Sequence, residues 1–467
     1  MGESVSVALF TADLRLHDNP VLAEAAEADR VVPLFVLDPG IARAGFVAPN
    51  RAVFLAECLA DLDEGLRSRG GRLVLRRGDP VEQVCAVVRE TGAHMVHIAG
   101  GVSRYASGRE ERLRKELAGL RCELVAHEAV ITAVPPGAIT PTDRDHFAVF
   151  TPYWRRWQAE RLRAPKAAPR RVVVPEAVDS LPLPTASELT GRQGGTPSPG
   201  LPRGGETAGR RLANSWRRDR IAEYGERHDD MAGDTTSRLS PYLHFGCLSP
   251  AELVHRARGS GDRGSAGEGS GAEDFVRQLA WRDFHYQVLA ARPDAAWADY
   301  RQRNDRWRTA PEEVAAWKEG RTGYPVVDAA MRQLLHEGWM HNRGRLLVAS
   351  FLTKTLYVDW RIGARHFLDL LVDGDLVNNQ LNWQWVAGTG TDTRPNRVLN
   401  PVRQGVRFDP EGEYVRRWVP ELTGLTRRQI HEPWKLSGPE RAGYDYPEPM
   451  VSLAEGQERF ARGRGRG

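Results

Sequence analysis

Residues 323–392 read GYPVVDAAMRQLLHEGWMHNRGRLLVASFLTKTLYVDWRIGARHFLDLLVDGDLVNNQLNWQWVAGTGTD. Apolar segments with helical spacing carry charged and amide side chains here, at positions expected in a core: Arg343, Arg345, Asp373, Asp375, Asn378 and Asn379. A buried charge or amide costs several kcal/mol unless a polar group meets it. We therefore expect a helical domain that encloses a large polar ligand.

Helical periodicity dominates the chain after Arg210. The segment PVVDAAMRQLLHEG predicts a helix that ends at Gly338, with an apolar face made of Val327, Met331, Leu334 and Leu335. The run LLVASFLTKTLYVDW, residues 346–360, is apolar nearly all round and predicts a helix buried on most sides.

Short apolar runs alternate with helical patterns in the first 130 residues. The runs predict five strands, at residues 5–12, 31–38, 72–78, 94–101 and 122–130. The clearest helix between them covers residues 52–69. This alternation predicts an α/β domain with a doubly wound, five-stranded parallel sheet. No GxGxxG motif follows the first strand, so we expect any ligand here to bind in another way, at the carboxyl ends of the strands.

A shift in composition divides the chain into three parts. Residues 1–131 form the predicted α/β domain, residues 132–209 a linker rich in Pro, Gly, Arg and Ser, and residues 210–467 an all-α domain. The linker contains one short amphipathic helix, FTPYWRRWQAERLR. Residues 191–205 have too little apolar surface to order themselves and are predicted to be mobile, and residues 259–271 are predicted to form a loop.

Composition excludes several classes of protein. No apolar run is long enough to span a membrane, and the first residues lack the features of a secretory signal, so we expect a cytoplasmic protein. The four Cys form no CxxC pair, and no metal site is expected. Arg supplies 60 of the 65 basic residues, which permits nucleic-acid binding, although a G+C-rich gene would explain the same bias.

Eight motifs carry a resemblance over nearly the full length of the chain. In order they are FTADLRLHDNP (10–20), FTPYWRRW (150–157), TSRLSPYLHFGCLSP (236–250), WRDF (281–284), TGYPVVDAAMRQL (322–334), GWMHNRGR (338–345), DGDLVNN (373–379) and NWQW (382–385). The chain resembles the cryptochrome/photolyase family, and within it the class I cyclobutane pyrimidine dimer photolyases. The resemblance implies a Rossmann-like antenna domain followed by a helical domain that holds FAD in a folded, U-shaped conformation.

The resemblance also implies a set of flavin contacts. Residues similar to the family's phosphate loop are Thr236, Ser237, Arg238, Leu239 and Ser240, with Tyr224 as an additional contact. Hydroxyls and oriented amides suit a pyrophosphate, although the same residues could simply cap a helix. Residues similar to those around the isoalloxazine are Arg345, Asp373, Asp375 and Asn379, with Asn379 facing N5. The alternative is a buried ion pair that only orients two helices.

Further residues are implied for electron transfer and for the substrate. Trp383, Trp360 and Trp307 resemble the family's electron-transfer chain, whereas each Trp taken alone would more often be core packing. Residues expected at a slot for a flipped-out damaged base are Gln278, Trp281, Arg282, Asn342, Leu346 and Trp385. Candidates for contacts with flanking phosphates are Arg155, Arg156, Arg343 and Arg397.

The chain departs from the family pattern in places. Gln278 replaces a usual Glu and Leu346 a usual Met, which weakens the expectation of efficient dimer repair. Residues 391–401 resemble DASH-type cryptochromes, while Asn342 after His341 favours cyclobutane dimers over pyrimidine(6-4)pyrimidone lesions. Residues 32–41 and 105–112 favour 8-hydroxy-deazaflavin over methenyltetrahydrofolate as a second antenna chromophore; absence of any antenna stays open.

The resemblance leads to one main hypothesis and two alternatives. The main hypothesis is a monomeric carbon–carbon lyase that repairs ultraviolet-damaged DNA with an electron from photoexcited reduced FAD, without a metal. One alternative is a cryptochrome-type blue-light photoreceptor without repair activity. The other is a DASH-like photolyase that acts on single-stranded DNA.

Overall fold

A computed structural model describes residues 3–191, 194–259 and 271–465 of the chain. Contacts between Cα atoms divide the protein into two compact units. The sheet unit comprises Met1–Thr196, Pro202–Gly225 and Ser237–Pro293, and the helical unit comprises Pro197–Leu201, Glu226–Thr236 and Asp294–Gly467. The division into residues 1–131, 132–209 and 210–467 stays a prediction.

A five-stranded parallel sheet forms the core of the sheet unit, which confirms the predicted fold. The strands are β1 (Val5–Phe10), β2 (Arg30–Leu37), β3 (Val74–Arg77), β4 (Met95–Ala99) and β5 (Glu123–His127), in the order β3-β2-β1-β4-β5. Every residue of the central strand β1 is buried. Strands covered on both faces are typical of a doubly wound sheet, where helices lie on each side.

Helices are the main secondary structure in the rest of the described chain. Those up to residue 291 are α1 (Pro20–Ala25), α2 (Pro39–Arg43), α3 (Pro49–Arg67), α4 (Pro80–Thr91), α5 (Arg104–Gly119), α6 (Phe150–Ala159), α7 (Ala186–Thr190), α8 (Glu206–Asp219), α9 (Tyr224–Arg227), α10 (Ser240–His244), α11 (Pro250–Arg258) and α12 (Gly271–Ala291). Those that follow are α13 (Pro311–Glu319), α14 (Pro325–Glu337), α15 (Asn342–Ser350), α16 (Trp360–Leu370), α17 (Leu376–Ala387), α18 (Pro401–Phe408), α19 (Glu413–Trp418), α20 (Gly438–Arg441) and α21 (Leu453–Gly463).

The Asp283 side chain, on α12, forms hydrogen bonds with the part of the chain that follows β5. Its buried carboxylate accepts hydrogen bonds from the backbone N–H groups of Ala133 (3.0 Å) and Val134 (2.9 Å) and from the indole of Trp157 (2.9 Å). Burial raises the pKa of Asp283 to about 6. These donors satisfy an otherwise costly buried acid.

Helix α14 matches its predicted extent but not all of its predicted face. Gly338 ends the helix in the left-handed region (φ 59°), as predicted. Leu335, however, is 39% exposed, so its assignment to the buried face is wrong. Eight positions after Val327 a helical side chain has turned by about 80°, which places Leu335 beyond the buried stripe.

The prediction of one helix over residues 346–360 is also wrong, although the segment is buried as predicted. Helix α15 ends at Ser350, a π-helical turn covers Phe351–Thr355, and α16 begins at Trp360. The turn is closed by a hydrogen bond from Leu356 N–H to the Phe351 carbonyl (2.9 Å). Tyr357 then adopts a positive φ of 57°, which no helix continues through.

Two predicted loop segments are described in part. Residues 192–193 and 260–270 lie outside the described residues. Within the helical unit, Ser198 and Gly200 donate to the carbonyls of Leu335 and His336, each at 2.8 Å. These bonds anchor residues 198–200, contrary to the expectation of mobility. In the described ranges, no helix has the length and apolar character needed to cross a membrane.

Candidate functional site

The predicted phosphate loop leads into the short helix α10. Leu239 occupies the N-cap position of this helix, and no side chain caps it, so the alternative of a Ser or Thr cap is not observed. Arg238 adopts a positive φ of 51° just before it. Thr236, which belongs to the helical unit, has a buried hydroxyl with no hydrogen-bond partner among the described residues. Tyr224 is buried in the sheet unit, edge-to-face with Trp216 at 5.5 Å.

Arg345 and Asp373 form an ion pair in the helical unit. The Arg345 guanidinium donates to Asp373 Oδ2 at 2.8 Å and to the Met340 carbonyl at 2.8 Å. The other carboxylate oxygen, Asp373 Oδ1, is buried and has no hydrogen-bond partner in the described chain. A buried carboxylate oxygen without a donor is rare in folded proteins, so this atom is suited to a ligand.

Helix α17 presents the two other predicted flavin-ring contacts. Asp375 is its N-cap, where the carboxylate accepts from Val377 N–H at 2.9 Å and from the Asn378 amide at 2.5 Å. Asn379 donates from its amide nitrogen to the Ala364 carbonyl and to Gln380 Oε1, both at 3.0 Å.

The orientation of the Asn379 amide follows from its neighbours. Gln380 uses its own amide nitrogen on the Ala296 carbonyl (2.7 Å), which leaves its oxygen as the acceptor for Asn379. Both N–H groups of Asn379 are therefore engaged, and its side-chain oxygen is the atom that can serve a ligand. The role of Gln380 was not predicted, because nothing in its sequence position indicates that it orients Asn379.

The three predicted relay tryptophans all lie in the helical unit. Trp360 and Trp383 are buried, and Trp307 is half-buried. The Trp360 indole donates to Asp299 at 2.8 Å. Gly363 allows α16 to approach Trp383, because a Cβ at that position would lie 2.2 Å from the indole ring.

Trp317 is an aromatic neighbour that the sequence analysis missed. Its ring meets Trp383 edge-to-face at 6.1 Å, and its indole donates to the Val348 carbonyl at 3.1 Å. It is fully buried. Its spacing from the relay residues along the chain gave no signal of this contact.

The predicted substrate residues of the sheet unit lie on α12. Trp281 stacks on Phe150 with ring centroids 3.7 Å apart and an interplanar angle of 7°. Gln278 is exposed on the same helix. Arg282 is mostly buried and donates to the Ile131 carbonyl and to the Tyr286 hydroxyl (3.1 Å). The Arg282 guanidinium is therefore already hydrogen-bonded to groups of the protein itself.

The predicted substrate residues of the helical unit lie on two helices. Asn342 is exposed as the first residue of α15, and Leu346 is half-buried one turn later. Trp385 on α17 is half-buried. Among the candidate phosphate contacts, Arg343 is engaged elsewhere: it pairs with Asp229 at 2.5 Å and covers the Phe408 ring at 4.3 Å.

A histidine cluster at the edge of the sheet was also not predicted. His97 Nδ1 and His127 Nε2 lie 2.9 Å apart, and Glu24 is 3.7 Å from His127. Burial lowers the pKa of His97 to about 4. Three such groups could hold a metal ion. A hydrogen bond between neutral imidazoles, together with a contact of 3.7 Å between Glu24 and Lys166, accounts for the cluster without one.

Comparison with known proteins agrees with this architecture in both halves of the chain. Residues 6–171 match the family model described as DNA photolyase, and residues 275–464 match the FAD binding domain of DNA photolyase. The deoxyribodipyrimidine photo-lyase of Streptomyces griseus is 65% identical over 464 residues, which cover 99% of each chain.

Solved structures give the same result. A class III photolyase from Agrobacterium tumefaciens superposes with a TM-score of 0.90 at 32% identity, covering 100% of this chain and 98% of the other. A cryptochrome from Synechocystis sp. PCC6803 superposes with a TM-score of 0.90 at 30% identity, covering 99% of each chain. The sheet topology, the helical unit and these matches together place the chain in the photolyase/cryptochrome family.

Proposed function

We propose that this protein is a light-driven lyase that repairs cyclobutane pyrimidine dimers in ultraviolet-damaged DNA. The observation that carries the proposal is the near-full-length identity of 65% to a deoxyribodipyrimidine photo-lyase. The FAD-binding family model supports FAD as the cofactor. When bound, reduced FAD supplies the light-excited electron that opens the dimer, and the protein positions and shields it.

The polar residues of the helical unit fit such a cofactor. Thr236 Oγ1 and Asp373 Oδ1 are buried and have no hydrogen-bond partner within the described part of the chain, and a ligand rich in polar atoms would satisfy both. The side-chain oxygen of Asn379 can accept a hydrogen bond, which suits a protonated ring nitrogen. Asn379 would thereby favour the reduced form of the flavin. Arg345 would hold Asp373 in place and supply positive charge.

The remaining flavin contacts are assigned by the family resemblance. Ser237, Arg238, Leu239 and Ser240 would bind phosphate through hydroxyls and backbone N–H groups. The Thr236 hydroxyl at the start of this loop supports the assignment, because it is buried and has no hydrogen-bond partner among the described residues. Tyr224 would add a contact from its buried position.

Electron supply and substrate binding complete the proposal. Trp307, Trp360 and Trp383 would pass electrons inward, from the half-buried Trp307 to the buried pair. Residues proposed to receive the flipped-out lesion are Gln278, Trp281, Arg282, Asn342, Leu346 and Trp385. Class I membership, a monomeric state, the absence of a metal, a cytoplasmic location and a deazaflavin antenna belong to the proposal as well.

Light-dependent repair by the reduced protein is the direct test. Purified protein is reduced, mixed with duplex or single-stranded oligonucleotides that contain one thymine dimer, and illuminated with blue light. We expect restored thymines in the light and none in the dark. Intact lesions in both substrates would favour a photoreceptor, and repair confined to the single strand would favour a DASH-like enzyme.

A variant and a spectrum sharpen this test. Trp385→Ala should weaken binding of the lesion but keep FAD bound, because the change removes an aromatic wall and no predicted flavin contact. Loss of both would contradict its placement in the slot.

The absorption spectrum of the native protein, compared with that of FAD alone, tests for the antenna chromophore.

A further inference from the structure

Tyr357 is a buried tyrosine in contact with the half-buried end of the proposed relay. Its ring lies 4.9 Å from that of Trp307, between centroids, with an interplanar angle of 35°. It follows the π-helical turn and adopts a positive φ of 57°. A bulky residue in this conformation is uncommon, and such positions cluster at functional sites.

The Tyr357 hydroxyl donates to a buried carboxylate. The bond runs from Tyr357 Oη to Asp305 Oδ1 at 2.5 Å, the short end of the range for O–H donors to carboxylates. The second oxygen, Asp305 Oδ2, is buried and has no partner among the described residues. Asp305 therefore has capacity to accept a proton.

Asp305 also lies beside a buried cation. The guanidinium of Arg464 lies 2.7 Å from Asp305 Oδ1, and both side chains are almost fully buried. Burial is also the main reason that the pKa of Tyr357 is raised, with the bond to Asp305 second. The phenol of Tyr357 is thus protonated, and its O–H group donates to the Asp305 carboxylate, which would act as the base.

Helix α21 closes over the tyrosine. A Cβ at Gly463 would lie 1.9 Å from Tyr357 Cε1, so glycine is required for this close approach. Phe460 packs edge-to-face on the ring at 5.9 Å. Tyr357 is fully buried as a result, which shields an oxidised form from solvent.

We infer that Tyr357 extends the tryptophan relay: it reduces oxidised Trp307 and passes its phenolic proton to Asp305. The inference rests on the proposed role of Trp307 as the outer relay residue. One electron leaves the Tyr357 ring and restores neutral Trp307, while the O–H bond breaks and its proton moves to Asp305 Oδ1. The products are a neutral tyrosyl radical and a protonated Asp305.

Transfer of the proton to Asp305 both permits the oxidation of Tyr357 and slows the return of the electron. Phenol is hard to oxidise while it keeps its proton, so an adjacent base makes the electron transfer feasible. Loss of the proton also traps the oxidised site, because return of the electron then requires return of the proton. The separated charge would consequently last longer, and reduced flavin would accumulate in higher yield.

Spectroscopy on the FAD-loaded protein tests this inference. After a light flash, we expect a tyrosyl radical, identified by its absorption band and its electron paramagnetic resonance spectrum, to grow in as the Trp radical decays. Tyr357→Phe should abolish the growth, and Asp305→Asn should lower the tyrosyl yield by about tenfold or more, which corresponds to about 1.4 kcal/mol. Tyr446→Phe is the matched control, since Tyr446 also donates to a buried carboxylate, that of Asp328.

The outcomes separate the inference from the proposed function. Trp radicals without a tyrosyl radical, or a tyrosyl signal unchanged in Tyr357→Phe, would overturn the role of Tyr357 and leave the relay intact. No Trp radical at all would overturn the light-driven relay.

Pulse radiolysis of the FAD-loaded protein with azide radicals tests the tyrosine without light. These radicals oxidise Trp directly, and we expect the Trp radical to decay into a tyrosyl radical in the natural protein and in Tyr446→Phe. The growth should be reduced in Tyr357→Phe. Equal growth of the tyrosyl-radical signal in all three proteins would overturn the inference.

Discussion

Arg345 donates a hydrogen bond to one carboxylate oxygen of Asp373, while the other oxygen of Asp373 has no partner among the described residues. The pair is unequally exposed, because the Asp373 side chain is almost fully buried and a quarter of the Arg345 side chain meets solvent. A pair that served only to orient two helices would leave no buried oxygen without a donor. This asymmetry favours a ligand-binding role for Asp373.

Asp373→Asn should weaken FAD binding by at least about tenfold, or about 1.4 kcal/mol, because it removes the charge that pairs with Arg345 and one acceptor oxygen. Affinity can be measured from the quenching of FAD fluorescence on titration with apoprotein. The control is Asp369→Asn, since Asp369 is exposed and pairs with Arg365 one turn away. Equal affinities in the two variants would contradict the assignment.

Much of the fold was predictable from local patterns. The alternation of apolar runs and helical stripes identified all five strands, because each of the first four strands is followed by one or two helices that return the chain to the next parallel strand. The end of α14 was predictable because Gly338 has the backbone freedom that a left-handed stop requires. The break in the helix within residues 346–360 was not predictable, because a π-helical turn has the same apolar composition as the helix it interrupts.

The proposed site was predictable only in its residue types. The family motifs predict flavin contacts at Arg345, Asp373 and Asn379, and the structure brings the first two into contact. The direction of the Asn379 amide depends on Gln380 and on the distant Ala296 carbonyl. Such long-range hydrogen bonds leave no periodic signal in a sequence, and the same reason explains why Trp317 was missed.

Trp360→Phe should block photoreduction of oxidised FAD but spare repair by enzyme that is already reduced. Phenylalanine is much harder to oxidise than indole, so it would interrupt the relay at its middle residue. The measurement is bleaching of oxidised flavin under blue light, followed by a repair assay after chemical reduction. Trp317→Phe is a close control, because Trp317 is equally buried and touches Trp383. Loss of both activities in Trp360→Phe would argue against a relay role.

Gln278→Glu should raise the rate of dimer repair severalfold. A carboxylate can accept hydrogen bonds from the lesion and offset its polarised bases, and charge-assisted hydrogen bonds are roughly twice as strong as neutral ones. Gln278 is exposed, so the change should leave the unfolding transition unaltered. The repair rate per flash is the quantity to compare. Gln278→Leu should lower it, and a rate that is the same in all three proteins would remove Gln278 from the substrate slot.

Lys354 is a fully buried cation whose titration should be visible in the stability of the protein. Its ammonium donates to the Pro395 carbonyl, and burial lowers its pKa from 10.5 to about 7. Below about pH 7 the amine is charged in both the folded and the unfolded states, so folding bears the full cost of burying the charge. Between about pH 7 and 10.5 the unfolded state binds more protons, and the free energy of unfolding should rise with pH by at most about 1.4 kcal/mol per unit.

Lys354→Met should remove this rise, because methionine fills a similar volume without a charge. The variant should therefore be more stable than the natural protein near pH 6, and the difference should shrink towards about pH 10. Urea unfolding of both proteins at several pH values measures the difference directly. Lys435→Met serves as the control, since the Lys435 side chain is 66% exposed and should change stability little at any pH. A difference between Lys354→Met and the natural protein that stays constant with pH would show that Lys354 does not titrate in this range.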